Sequence, residues 1–484
     1  MNYIIMKKLL LLTLLTLTTS ILLPQNHDLS PYVPETDSLV LEKLERWQDL
    51  KFGLLMHWGP YSQWGIVESW SICSEDEGWC RRRSENYTEY RKEYEDLQTT
   101  FNPVDFDPER WAKAAGRAGM KYVVFTTKHH DGFSMFDTKF TDYRITDLKT
   151  PFHTSPGANI TKEIFDAFRS EGLWAGAYFS KPDWHSEYYW WPNFATPDRH
   201  VNYSVNRYPE RWENFVQFTH NQIMELMTEY GKIDILWLDG GWVRKYTDDE
   251  IKEYYANMNP DKPARIQNQD IRMDELVQKA RAAQPGLIVV DRAVRGKNQN
   301  YMTPENRVPE KALPYPWESC IIAGGGWSWN PDAKYMSGRQ AVQMLVDIVA
   351  KGGNLLLNIA PGPEGQWHDE AYDLLNEIGQ WMDVNSEAIY GTRAMAPFKE
   401  GKVCITAKGE DTFYLYYMAD QEEEMPAEIG ISGINLPGSS KVEMLGSRGG
   451  LKWSNHGEGF RIETGGKLKE EHPPDYVWVF KVSF

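Results

Sequence analysis

One alternation governs most of this chain and leaves few folds open to it. Short, almost wholly apolar runs recur at Phe52–Met56, Tyr122–Thr126, Ala175–Phe179, Ile233–Leu238, Leu287–Val290 and Leu355–Ile359. Runs without polar alternation read as strands buried on both faces, the mark of a parallel sheet. Between them lie helical stripes. Ile160, Ile164 and Phe168 recur every four residues ahead of Gly172. Phe215, Phe218, Ile223 and Leu226 precede Gly231, and Ala341, Leu345, Ile348 and Val349 precede Gly352 and Gly353. Strand and helix alternating over about 350 residues predict a parallel sheet covered by helices, either an open doubly wound sheet or a closed (β/α)8 (TIM) barrel. No G-x-G-x-x-G opens a helix after the first strand, and no G-x-x-x-x-G-K-[ST] occurs. The nucleotide-binding open sheets lose support, and the barrel is favoured.

Near Gly391 the alternation stops. Val403–Ala407, Thr412–Tyr417, Ile429–Ile431, Lys441–Leu445, Phe460–Glu463 and Val477–Val482 are short strand-like runs separated by Gly, Asn and Pro. They predict an antiparallel β-sandwich after the barrel, reached through a link at Gly391–Glu400. At the other end, Lys7 and Lys8 precede an apolar run, Leu9–Leu23, of the kind a secretory leader carries. It falls short of the roughly 20 residues of a membrane helix. The expected organisation is a leader over residues 1–24, a barrel over 25–392 and a sandwich over 393–484. The sandwich reads as a buttress, with a carbohydrate-binding accessory as the alternative. Export would make the chain periplasmic or secreted, or lysosomal or extracellular in a eukaryote. It would also permit a disulfide between Cys73 and Cys80.

Composition narrows the partners. The 484 residues carry 69 Asp and Glu against 52 Lys and Arg, a net charge of −17, which disfavours nucleic acid and anionic membrane surfaces. The chain also has 20 Trp. Indole faces stack on the C–H faces of sugars, although any single Trp is more often packing.

Barrel sites lie at the C-terminal ends of the strands. Those ends carry His57 and Trp58, His129 and His130, Tyr178, Trp237 and Asp239, and Arg292 after Asp291. Imidazoles and Arg bind hydroxyls, aromatic rings cover apolar faces, and a carboxylate does covalent or acid–base work. Asp239 stands where a buried strand opens into Gly240 and Gly241, placed either to cap the next helix or to act as a nucleophile. A retaining glycosidase needs a second carboxyl about 5–5.5 Å away. Glu305 and Glu318 are the candidates after Arg292. A metal is not expected. His129 and His130 are adjacent, so they would share an ion only beyond the end of a strand, and no H-E-x-x-H pattern occurs. No G-x-S-x-G marks a Ser nucleophile.

Six segments together resemble the α-L-fucosidases of glycoside hydrolase family 29. They are His57-Trp58-Gly59-Pro60-Tyr61-Ser62, Lys128-His129-His130-Asp131-Gly132-Phe133, Asp234 to Gly240, Asp291-Arg292, Trp317-Glu318-Ser319-Cys320, and Gly352 to Ile359. The resemblance implies a (β/α)8-like barrel with a C-terminal β-sandwich and a retaining double displacement that uses no metal or cofactor. It implies Asp239 as nucleophile and His57, His129, His130, Tyr178, Trp237 and Arg292 around the sugar. The acid/base varies among members. Glu305, in the loop after Asp291-Arg292, is favoured over Glu318, which starts the next strand. Many members carry Glu-Trp where this chain has Ser69 and Trp70, with Glu68 one place early, so Trp70 and Glu68 join the binding set. The implied partner is a fucosylated oligosaccharide or glycoconjugate. The alternatives are a retaining glycosidase for a galactose-like sugar and a non-catalytic carbohydrate-binding protein. Linkage, aglycone and oligomeric state are left open.

Overall fold

The computed structural model describes residues 32–73, 80, 82–196, 198–258, 266–465 and 476–484. The leader expected over 1–24 lies outside them. Seven parallel strands form one curled sheet: β1 (Phe52–Met56), β2 (Tyr122–Lys128), β3 (Trp174–Ser180), β4 (Ile235–Asp239), β5 (Ile288–Asp291), β6 (Glu318–Ile322) and β7 (Asn354–Asn358). Their order is β5-β4-β3-β2-β1-β7-β6. Between the edge strands β5 and β6, a stretch without regular strand structure joins the two. Gln299 bridges Val290, Met302 bridges Trp317 and Glu305 bridges Cys320. The architecture is a (β/α)8-like barrel in which residues 299–306 take the place of an eighth strand.

Side-chain parity divides each strand between two cores. Leu55, Tyr122, Val124, Tyr178, Ile235, Trp237, Ile288, Val290, Cys320 and Leu356 fill the barrel interior, where Trp47 and Leu44 of the helix Ser38–Leu50 join them. Leu54, Val123, Phe179, Leu236, Leu238, Val289 and Leu357 face the helix layer instead. Both faces are dry, which is why these strands read as unbroken apolar runs. Trp58 belongs to the outer core, edge-on to Phe101 and Trp111, with Nε1 donating to the carbonyl of Gly362. It packs rather than lining a pocket.

The C-terminal region holds two antiparallel sheets. The first contains β8 (Arg393–Glu400), β9 (Val403–Lys408), β10 (Thr412–Met418), β12 (Lys441–Met444) and β15 (Val477–Ser483); the second contains β11 (Glu428–Ile431), β13 (Lys452–His456) and β14 (Gly459–Glu463). Ile405, Phe413, Leu415 and Phe480 of the first meet Ile429, Ile431, Phe460 and Ile462 of the second in one core. The expected link at Gly391–Glu400 is therefore mostly strand. β8 pairs with β9 through a shifted register and is only partly buried, so no apolar pattern announces it. Trp381 Nε1 donates 3.0 Å to Val477 O, tying this region to the barrel's last helix, Asp369–Asn385.

Candidate active site

Register brings the strand ends to one level: Ser180 lies opposite Asp239 and Leu238 opposite Asp291. Asp239 ends β4 on the inward parity of Trp237, so its carboxylate points over the barrel interior. Its Oδ2 accepts from the Tyr178 hydroxyl at 2.8 Å, and its Oδ1 accepts from the Gly240 amide at 2.8 Å and from Arg292 Nη1 at 3.4 Å. His130 Nε2 stands 3.9 Å from Oδ2. Burial alone would raise this carboxyl, but Arg292 foremost, with His130, Tyr178 and the Gly240 amide, holds it well below the usual range.

Arg292 is the hinge of the site. Nη1 faces Asp239, Nη2 donates to Glu305 Oε2, and Nε donates 3.2 Å to Thr303 Oγ1. Its guanidinium lies 4.9 Å from the centre of the Trp237 ring. Trp237 in turn stacks on Tyr178, with centroids 5.1 Å apart, so both aromatics form the floor. One buried guanidinium thus contacts both carboxylates. A second buried pair supports it: Lys181 Nζ donates 2.5 Å to Asp291 Oδ1, and the Lys181 amide donates 3.0 Å to Asp239 O.

The two candidate glutamates occupy different places. Glu305 sits at the rim, its side chain 29% exposed, and Oε1 also accepts from Trp327 Nε1 at 3.2 Å. Glu318 is wholly buried inside the barrel at the start of β6, where Oε2 accepts from the Tyr122 hydroxyl at 2.5 Å. Burial raises it to about 7.

The imidazoles can be assigned tautomers from their partners. Ser180 Oγ donates 2.9 Å to the carbonyl of Pro182, so its 2.6 Å contact with His130 Nδ1 makes that nitrogen the donor. His130 Nε2 therefore presents a lone pair toward Asp239. Asn358 Nδ2 donates to the carbonyls of Trp327 and Gly326, which leaves Oδ1 to accept from His57 Nδ1 at 2.9 Å. His57 Nε2 is likewise an acceptor. His129 Nδ1 is hydrogen-bonded to Ser69 Oγ. Burial lowers all three rings, His57 and His130 to about 4, so they are neutral at physiological pH.

Trp70 stands edge-on to His130, with centroids 5.1 Å apart, and Trp184 and Trp242 pack behind it. Trp327 flanks His57 at 5.2 Å on the opposite side. Glu68 is buried beside the site, with Oε1 unpartnered; burial raises it to about 8, and the nearby Glu305 and Asp239 add to the rise. Of the strand-end residues expected from the sequence, His57, His129, His130, Tyr178, Trp237, Asp239 and Arg292 converge with Glu68, Trp70 and Glu305, Glu318 lies beneath them, and Trp58 turns away into the outer core. Ser180 and Asn358 end β3 and β7 and set the tautomers of His130 and His57, and Ser69 opens a short 3-10 helix beside His129; nothing in the sequence tied any of them to an imidazole. The pocket offers acceptors from His57, His130 and Asp239, donors from Arg292, and flat aromatic walls, which suits a small polyol with one apolar face.

The family model described as α-L-fucosidase matches residues 21–387. Human tissue α-L-fucosidase is 26% identical over 474 residues, covering 93% of this chain and 92% of its own. Among solved structures, α-L-fucosidase isoenzyme 1 from Paenibacillus thiaminolyticus is 28% identical with a TM-score of 0.72, covering 92% of this chain and 99% of that one. The Thermotoga maritima α-fucosidase solved in complex with fucose is 25% identical with a TM-score of 0.68, covering 93% and 99%.

Proposed function

Since the chain belongs to the α-L-fucosidase family of glycoside hydrolases, we propose that it releases terminal α-L-fucosyl groups by a retaining double displacement in which Asp239 is the nucleophile. One observation carries this reading: two carboxylates of unlike surroundings share Arg292 beneath a pocket of imidazole acceptors and aromatic walls. Asp239, kept ionised by its donors, attacks the anomeric carbon. The leaving oxygen takes its proton from Glu305, which the rim position and partial exposure favour over Glu318.

Glu305 is paired with Arg292. To act as an acid it must exchange that contact for a proton as substrate enters, while Arg292 turns toward Asp239 and the ring hydroxyls. In the second step the Glu305 carboxylate takes a proton from water, which opens the fucosyl ester on Asp239. Glu318 hydrogen-bonds beneath the floor and acts by holding it. His57 and His130 accept from sugar hydroxyls, His129 hydrogen-bonds the sugar beside them, and Trp327 and Trp70 bound the pocket.

We further infer that the chain is exported, from the basic and apolar order of residues 1–24. The test of function is hydrolysis of an aryl α-L-fucoside followed by proton NMR. First-formed α-L-fucose is expected. First-formed β-L-fucose would refute retention, and the absence of released fucose would refute the activity.

A further inference from the structure

Adjacent residues on a strand point to opposite sides, so His129 and His130 can share an ion only beyond a strand's end. β2 ends at Lys128, and past that point both rings turn to the same side, with centroids 4.2 Å apart. One nitrogen from each ring and one oxygen of Asp239 lie within 4.8 Å of one another. We propose that these three groups form a reversible binding site for a zinc-type divalent cation, which occupies the sugar pocket and excludes substrate. The competition with substrate rests on the fucosidase reading; the metal site itself does not.

Three features support it. First, donor type: two imidazoles and a carboxylate make the set that zinc takes in open sites, with the fourth position left to water. Second, the distances are within reach of closure. Zinc bonds of about 2.0–2.2 Å set tetrahedral donors roughly 3.4 Å apart, so a pair at the 4.8 Å limit must close by about 1.4 Å. The His130–Asp239 pair, at 3.9 Å, is already near that value. Third, the outer contacts are in place. Ser180 fixes His130 with Nδ1–H outward and the Nε2 lone pair inward, the orientation a metal-binding histidine needs. The Ser69 hydroxyl can rotate to accept from His129 Nδ1 and leave the other ring nitrogen to the ion. A lone pair and a carboxylate oxygen facing each other across 3.9 Å call for something electropositive between them. A sugar hydroxyl supplies a proton there; a cation supplies the same need more strongly. Arg292, on the other side of Asp239, tempers the affinity by its own charge, so binding should be moderate rather than permanent.

Calorimetric titration of the untagged full chain with zinc chloride tests this without using turnover. The expected result is saturable binding of one zinc per chain. That binding should weaken at least tenfold in His130→Gln and in Asp239→Asn, two substitutions of similar size that are checked for folding by circular dichroism. L-fucose should displace the ion, and zinc should raise KM in the fucoside assay while leaving kcat unchanged. No saturable binding up to millimolar zinc overturns the site, whether or not the enzyme is active. Binding that survives both substitutions, or that L-fucose does not displace although it binds the zinc-free chain, also overturns it. Zinc binding lost in both variants from a chain that neither binds fucose nor cleaves fucosides supports the metal site and refutes the function.

Discussion

Arg292→Met removes the cation that both carboxylates contact. The methionine fills much of the aliphatic volume, so the change isolates the guanidinium. Arg292 is 7% exposed and Asp239 17%, so the pair is poorly screened by water. Removing one partner of a buried ion pair typically costs about 3–5 kcal/mol, because the other charge is left uncompensated. If the transition state bears that cost, at about 1.4 kcal/mol per tenfold, kcat/KM should fall by a factor of roughly 100 or more. The pH profile supplies an independent readout. In the native chain Asp239 is held well below the ordinary carboxylate range, against burial, by Arg292 foremost. It stays ionised throughout the mild acid range. Without Arg292 the opposing effect of burial is less resisted and its pKa rises. The variant should therefore lose activity at a higher pH than the native enzyme as acid is added. Steady-state kinetics on an aryl α-L-fucoside between pH 4 and 8 measure both effects, with circular dichroism as the folding control. A loss under tenfold, with the acid limb unmoved, would refute the bridging role.

Two further outcomes follow from other parts of the molecule. Glu305→Ala should lose most turnover and regain it with azide, which needs no basic assistance to attack the fucosyl ester, whereas Glu318→Ala should lose stability and gain nothing from azide; the reverse pattern would reassign the acid/base. Lys51, at the foot of β1, is fully buried with Nζ unpartnered among the described residues, and burial foremost, then Arg393, lowers it from 10.5 to about 7. The unfolded chain binds the extra proton between those values, so stability should rise with pH across that window, and Lys51→Met should unfold in urea up to about 4 kcal/mol later at pH 7, with the gain shrinking toward pH 10.

The parts of the fold legible in the sequence are those whose burial leaves a periodic trace. Six parallel strands are dry on both faces and read as apolar runs. β6 opens on Glu318 and Ser319, so only the Trp317-Glu318 motif marked it. β8 and β13 present mixed or exposed faces, and their sequences resemble connecting segments. In the pocket, His57, Tyr178, Asp239 and Arg292 were legible because a barrel gathers the ends of its strands. Between Glu305 and Glu318 the sequence offered only loop against strand start, which favoured Glu305; the difference in exposure belongs to the structure. Ser69, Ser180 and Asn358 are ordinary polar residues whose importance lies in which imidazole nitrogen they touch.

In the proposed mechanism Asp239 forms the covalent bond to the sugar. Incubation with 2-fluoro-fucosyl fluoride slows breakdown of the fucosyl ester more than its formation, so the adduct can be located by mass spectrometry of the digested chain. One 2-fluoro-fucosyl group per chain is expected, on the peptide containing Asp239, and none in Asp239→Asn. A label on any other residue would contradict that mechanism, as would full turnover by Asp239→Asn.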